Sequence, residues 1–305
     1  MKIVIAGATG FLGRPLAGRL SADGHEVVIL TRGESSPEAN ARSRHVRWSP
    51  DGSAGSWAAE IDGAGAVVNL AGESIAGKRW SPAQKQRIHD SRVHATRSLA
   101  KAIARASVPP PVFVSGSAVG YYGPLGDEVA TEETQPGTDF LARVCVRWEE
   151  EAGGASSSRT RVACIRTGLV LERDGGALPQ MLLPFTFGAG GPVGSGRQYW
   201  PWIHRTDWID LVLWTIRTTA VTGPLNATAP APVTNADFAH ALGRALHRPS
   251  FMPAPAFALR LMLGEMADAL LLSGQRAVPA KAERLGFSFH YTRIDDALAA
   301  IFGRT

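Results

Sequence analysis

Residues 1–33 read MKIVIAGATGFLGRPLAGRLSADGHEVVILTRG, and the order of their apolar runs and glycines decides the fold. Residues 3–6 form an unbroken apolar run of strand type. Gly7, Gly10 and Gly13 follow in GxxGxxG spacing, and Leu12, Leu16 and Leu20 then recur at helical intervals. Pro15 lies in the first helical turn, where its missing N–H costs little, and Gly24 closes the helix before a second apolar run at 27–30. The stretch predicts a strand, a tight turn, a helix and a parallel second strand.

The alternation continues outward. Apolar runs at 66–70, 112–114 and 162–165 alternate with helical patterns over 81–106 and 138–152, which predicts an α/β fold with a doubly wound parallel sheet. From about residue 171 the pattern breaks into Gly- and Pro-rich segments, followed by helical patterns over 234–247 and 256–272. These predict a smaller C-terminal substrate domain. The chain accordingly divides into a sheet domain of residues 1–170 and 200–228 and a substrate domain of residues 171–199 and 229–305.

Hydrophobic residues make up 45% of the 305 and charged residues 19%, the balance of an ordinary globular chain with a sizeable core. A net charge of +5 raises the question of nucleic acid, yet the arginines are scattered and no run of five basic residues occurs. A small anionic or polar substrate explains the excess as well, and no nucleic-acid partner is expected. Cys145 and Cys164 stand inside apolar segments without disulfide or metal-ligand spacing, so no metal site is expected and a reducing cytoplasm suits the chain. The first strand starts at Lys2, which argues against a signal peptide, and the apolar stretch 257–272 is interrupted by Arg260, Glu265 and Asp268. No membrane span is expected.

The glycine turn carries the first functional reading. Such a turn needs a positive φ and a backbone that lets a pyrophosphate approach the helix N-terminus. Gly7, Thr9, Gly10, Phe11, Leu12 and Gly13 are the candidate cofactor contacts there. In a dinucleotide site an acidic residue ending the second strand holds the ribose 2′-hydroxyl, but Thr31 and Arg32 stand at that place. A guanidinium can pair with a 2′-phosphate in a bidentate way, so NADP(H) is expected in preference to NAD(H).

GATGFLG (7–13), VVNLAG (67–72), VSGSAVGYYG (114–123) and WIHRTD (202–207) together resemble the extended short-chain dehydrogenase/reductase family. More narrowly, GKRWSPAQKQRIHDSRV (77–93), GSGRQYWPWIH (194–204) and GQRAVPAKAERLGFSF (274–289) resemble bacterial epimerase-family proteins related to nucleotide-sugar epimerases. The resemblance spans nearly the whole chain. It implies a Rossmann-like domain, an NADP cofactor, a C-terminal domain over the nicotinamide, and oxidoreductase or epimerase-like chemistry on a small polar carbonyl or hydroxyl compound. A nucleotide-sugar is one such compound. By the same resemblance, Asn69, Leu70, Ala71 and Gly72 pass beside the cofactor ribose and pyrophosphate, and Ser115 and Arg166 join the cofactor set. Ser117 matches the serine that hydrogen-bonds the substrate oxygen.

The departure from the family lies in TDFLARVCVRWE (138–149). A Tyr-x-x-x-Lys pair on this helix places both residues on one face, so the lysine lowers the tyrosine pKa and holds the nicotinamide ribose while the phenol exchanges a proton. Here the matched positions carry Phe140 and Val144, and none of Tyr121, Tyr122, Tyr199 and Tyr291 has a lysine four residues on. Acid–base groups contribute about 100- to 10,000-fold, so either another residue supplies the proton or the cofactor serves another purpose. Tyr121, Tyr122 and Ser117 are the candidate substitutes, with aromatic packing the plainer reading of the two tyrosines. Lys78, Arg79, Lys85 and Arg92 are candidate cations for an anionic substrate or a cofactor phosphate, or else solvated helix charges. Two functions stay open: an NADP(H)-dependent enzyme, and an NADP(H)-responsive binding or regulatory protein without turnover.

Overall fold

Apolar strands with no polar face must be covered on both sides, and helices do this here. The computed structural model describes residues 1–33 and 42–303. Its first half runs β1 (Lys2–Ala6), α1 (Gly13–Ala22), β2 (Glu26–Thr31), β3 (Ser43–Arg47), β4 (Ala66–Asn69), α2 (Pro82–Arg105), β5 (Val112–Ala118), β6 (Val129–Ala130), α3 (Phe140–Gly153) and β7 (Arg161–Thr167). Then follow β8 (Leu169–Leu171), α4 (Leu178–Thr186), β9 (Tyr199–Trp200), β10 (Trp202–His204), α5 (Arg205–Arg217), β11 (Gly223–Ala227) and β12 (Val233–Thr234). The chain closes with α6 (Asn235–Leu246), α7 (Ala256–Leu263), α8 (Glu265–Ala267), β13 (Arg276–Ala277), α9 (Ala280–Arg284) and α10 (Ile294–Phe302).

Seven strands form one sheet in the order β11-β7-β5-β4-β1-β2-β3, parallel at every pairing. The chain leaves β1 in one direction through β2 and β3 and returns on the other side through β4. A crevice therefore opens at the carboxyl ends of β1 and β4, where ligands bind in open sheets of this kind. One face packs Ile3, Ile5 and Val114 against Leu16 of α1 and Trp208 and Leu211 of α5. The other packs Val4, Val67 and Phe113 against Leu99 and Ile103 of α2. A separate cluster around Leu178, Trp200, Trp202, Phe238 and Leu298 holds the C-terminal elements together.

Local chemistry sets the ends of the two helices nearest the crevice. Ser81 caps α2 by accepting from the Gln84 N–H, with Pro82 in the first turn, and Asp139 caps α3 by accepting from Ala142. The structure departs from the sequence reading in three places. The strand holding 112–114 continues to Ala118, so Ser117 lies inside it rather than after it. The helical pattern over 256–272 breaks at Gly264, whose φ of +63° ends α7; a Cβ there would also lie 3.2 Å from the Arg79 side chain. The edge strand β3, SRHVR, was too polar to read as a strand.

The C-terminal segments tie back to the sheet. β13 pairs with β6, Gln275 Nε2 donates to the Val119 carbonyl at 2.7 Å, and the buried Asp207 carboxylate accepts from the His290 and Tyr291 N–H groups at 2.8 and 2.9 Å. Among the described residues no helix is long and apolar enough to cross a membrane, and no cluster of His, Cys, Asp or Glu suits a metal ion.

Candidate functional site

The three turn glycines have different jobs. Gly7 has φ +83°, and a Cβ on it would lie 2.6 Å from the Leu70 carbonyl group; a Cβ on Gly13 would lie 2.2 Å from the Gly7 oxygen. Both are required for the turn to pack against the β4 end. A Cβ on Gly10 would meet only the Gly7 oxygen, at 3.5 Å, and Gly10 faces the open crevice. The Phe11 and Leu12 N–H groups have no protein partner among the described residues and sit at the positive end of α1. This cradle fits a pyrophosphate. The Phe11 ring is turned away from it, held against Gly175 and Gly176 with Arg205 5.3 Å from its centroid. Thr9 is exposed beside Gly10, and Leu12 packs on the core.

The 69–72 segment forms the next wall. Asn69 is fully buried, donates to Thr96 Oγ1 at 2.8 Å and accepts from the Ala71 N–H at 3.2 Å, so it shapes the loop from beneath. Leu70 touches the glycine turn, while Ala71 and Gly72 line the loop surface. Arg32 is exposed at the end of β2 and forms no ion pair among the described residues. Ser115 is buried in β5, its hydroxyl donating to the Gly116 carbonyl.

Ser117, Tyr121, Tyr122 and Arg166 converge, but on a buried network. Arg166, 2% exposed, donates through Nε and Nη2 to the two Glu149 carboxylate oxygens at 2.8 and 2.9 Å. The Tyr121 ring stacks on its guanidinium at 3.4 Å. Nη1 donates to the Tyr122 hydroxyl at 3.0 Å, which donates in turn to Asn226 Oδ1 at 2.7 Å. Glu132 closes the network by accepting from the Asn226 and Lys281 N–H groups. Burial pushes the Tyr122 phenol up to about 12, with Arg166 opposing. The Ser117 hydroxyl donates to Glu149 Oε1 at 2.6 Å and is 4% exposed, so it is directed into the same network. Sequence reasoning missed Glu149, Glu132 and Asn226, which carry no motif and are joined only by the fold.

The face of α3 that meets Ser117 is the stripe Leu141, Cys145 and Glu149. The Cys145 thiol is within hydrogen-bonding reach of the Ser117 hydroxyl and the Ala118 N–H, and the Leu141 Cβ would lie 3.4 Å from a Cβ on Gly120. The positions beside Ser117 are thus one residue on from those matched by sequence. Phe140 instead packs edge-on against Trp80 at 5.2 Å with Lys85 5.0 Å from its ring, and Val144 is buried. The chemical consequence is unchanged: this wall offers neither a phenol nor an ammonium. Burial pushes the Cys145 thiol up to about 12, which leaves it protonated and unreactive. Of the expected cations, Lys85 pairs with Glu265 at 2.6 Å, Lys78 and Arg79 are exposed, and Arg92 lies beneath Gly72.

A parallel sheet with its switch point at β1, a phosphate-sized cradle and small residues along the β4 end define a dinucleotide-binding α/β protein. Residues 3–226 match the NAD dependent epimerase/dehydratase family, to which the chain belongs. Residues 254–301 match a domain of unknown function (DUF1731). The chain is 43% identical over 297 residues to the epimerase family protein ML0860 of Mycobacterium leprae (strain TN), spanning 97% of this chain and 94% of that protein. The crystal structure of human epimerase family protein SDR39U1 (isoform2) with NADPH shares the fold at a TM-score of 0.91 and 34% identity, covering 100% of both chains. The nucleoside-diphosphate sugar epimerase from Corynebacterium glutamicum gives a TM-score of 0.79 at 35% identity, over 99% of this chain and 58% of that one.

Proposed function

We propose that the protein binds NADP(H) across the crevice above β1 and β4 and uses it to oxidise, reduce or epimerise a small polar carbonyl or hydroxyl compound. The observation that carries this reading is the cradle at Gly10, open on the crevice side and lined by the Phe11 and Leu12 N–H groups, which have no partner among the described residues. Arg32 stands at the end of β2 for a 2′-phosphate, and the human relative was solved with NADPH. When bound, the cofactor supplies a hydride donor or acceptor at its nicotinamide ring. Gly7 and Gly13 hold the turn, Ala71 and Gly72 let the cofactor pass, and residues 171–199 and 229–305 form the substrate side. Tyr122 is fixed by Arg166 and Asn226, which leaves Tyr121 as the better candidate proton donor of the pair. The buried free thiols suit a reducing compartment, the cytoplasm.

A second reading is favoured by one observation: Leu141 and Cys145 line the wall at Ser117, whose own hydroxyl is taken by Glu149. In this reading the protein responds to NADP(H) occupancy without turnover. Calorimetry with NADPH and NADH on wild type, Gly10→Val and Arg32→Ala tests the cofactor site. NADPH is expected to bind wild type tens of fold more tightly than NADH, Arg32→Ala to lose about 1.5–3 kcal/mol of NADPH affinity, and Gly10→Val to fold without binding. Equal affinities for the two cofactors would sink the NADP preference. Oxidation of NADPH in the presence of a panel of aldehydes, ketones and nucleotide-sugars separates the readings, since tight binding with no turnover across the panel favours the second.

A further inference from the structure

Helix α7 buries none of its residues, although Arg260 is its only polar side chain. Phe257 and Leu261, one turn apart, are 75% and 78% exposed, with Met262 beside them. The apolar surface continues at the end of α4, where Leu183 and Phe187 are exposed. Residues 252–254 join the two, since the Met252 and Ala254 N–H groups donate to the Gly190 and Pro192 carbonyls at 3.1 and 2.8 Å, and Phe251 and Met252 are exposed as well. Elsewhere among the described residues the exposed large apolar side chains are Met1, Val108 and Val129, scattered singly, so this surface is not the ordinary background of a globular chain.

The position of this surface selects its occupant. α4 is rooted on the glycine turn, since Gly175 and Gly176 pack on the Phe11 ring just before it. α7 ends on the β4–α2 loop, where a Cβ on Gly264 would lie 3.2 Å from the Arg79 side chain and where Glu265 pairs with Lys85. The apolar surface thus rises from both walls of the crevice. No Asp or Glu occurs in residues 175–206 or 238–264, and Arg260 is paired with Asp268 at 2.8 Å. On the loop, Lys78 and Arg79 are exposed and form no ion pair among the described residues. Open cations beside a hydrocarbon surface suit an amphipathic anion, whose chain removes apolar area from water on both sides. A nucleotide-sugar brings a base, hydroxyls and a diphosphate, for which Phe187, Phe257 and Leu261 offer no partner. We infer that the compound handled in the crevice is an amphipathic anion, its charged head at Lys78 and Arg79 and a hydrocarbon chain laid along α4 and α7. Its reacting carbonyl or hydroxyl stands near the head, because the loop that carries these cations follows β4. This names the substrate class of the proposed function and rests on that reading.

Dodecanoate, hexanoate and UDP-glucose are titrated by calorimetry against the protein with and without NADPH, at fatty-acid concentrations below micelle formation. Each buried methylene strengthens binding about fourfold, so dodecanoate is expected to bind wild type about tenfold or more tightly than hexanoate even when its chain is only partly covered. The double variant Phe257→Ser, Leu261→Ser is expected to weaken dodecanoate by about tenfold or more, and the double variant Lys78→Gln, Arg79→Gln to weaken both acids by a similar factor. NADPH affinity is expected to stay within about twofold of wild type in both. All four side chains are exposed, and the chain-length comparison on wild type decides the matter if a variant does not fold. Equal affinity for the two acids overturns the inference. So does UDP-glucose binding without dodecanoate binding, which returns the crevice to a nucleotide-sugar. Binding to phosphatidylglycerol vesicles with none to monomeric dodecanoate overturns it in favour of a bilayer surface. A wild-type dimer that the Phe257→Ser, Leu261→Ser variant dissociates in sedimentation velocity, again without dodecanoate binding, overturns it in favour of a second copy. If dodecanoate binds as expected and NADPH does not bind, the cofactor reading has failed and the amphipathic site stands; NADPH binding without dodecanoate binding overturns this inference alone.

Discussion

Arg166 shows how a charged side chain can be kept inside the sheet. Burial opposes its charge, and the Glu149 carboxylate more than offsets this, holding the guanidinium above its ordinary range. Removing one partner leaves the other charged and buried, so Arg166→Met is expected to cost about 3–5 kcal/mol in urea unfolding. The exposed pair Arg244–Asp295 is the contrast: Asp295→Ala should change stability by less than about 1 kcal/mol. Tyr122 makes the same network sensitive to alkali. Its phenol is raised from 10.0 to about 12, so its contribution to stability is fully present below pH 10 and is lost as pH rises towards 12. About 2–3 kcal/mol is at stake, and Tyr122→Phe should lack that part of the alkaline slope in unfolding measured from pH 8 upward. The motif around 114–123 drew attention to Ser117 and Tyr122, but their partners are 32 and 104 residues away and could not be read from it.

At the scale of elements, the turn into α1 and the cap of α3 make separable predictions. Gly7→Ala combines a positive φ with a 2.6 Å approach to Leu70, so it should lower the unfolding temperature as well as cofactor binding. Gly10→Val makes only an ordinary contact with the Gly7 oxygen and should keep the wild-type unfolding temperature while losing the cofactor. Asp139→Ala removes the α3 cap and should cost about 1 kcal/mol by the same unfolding assay. The glycine spacing and the long apolar patterns made α1, α2 and α3 legible within about two residues. The break at Gly264 rests on its positive φ, a conformation that the apolar pattern on either side of it does not reveal.

At the scale of the molecule, the C-terminal segment is held to the sheet by a few polar ties. Asp207 is the clearest, since its buried carboxylate takes the N–H groups of two successive residues. Asp207→Ala leaves both donors without a partner, at about 1–3 kcal/mol each, and should expose the neighbouring chain. Limited trypsin digestion is expected to cut the variant faster at Arg284 or Arg293 than wild type; equal digestion rates would show that β13 and the apolar contacts suffice without the tie.

Sequence alone determined the strand–turn–helix opening, the wound sheet, the cation in place of an acid at Arg32 and the lack of a Tyr-x-x-x-Lys pair, because periodicity, glycine spacing and residue identity are local properties. Tertiary structure decided which side chains meet. On a helix one residue of register turns a side chain by about 100°, enough to bring Leu141 and Cys145, rather than Phe140 and Val144, to the wall at Ser117. The packing of α2 against α3 likewise placed Arg92 beneath Gly72 without a carboxylate partner among the described residues. Such pairings depend on the relative placement of elements that are distant in the chain, and no local pattern encodes it.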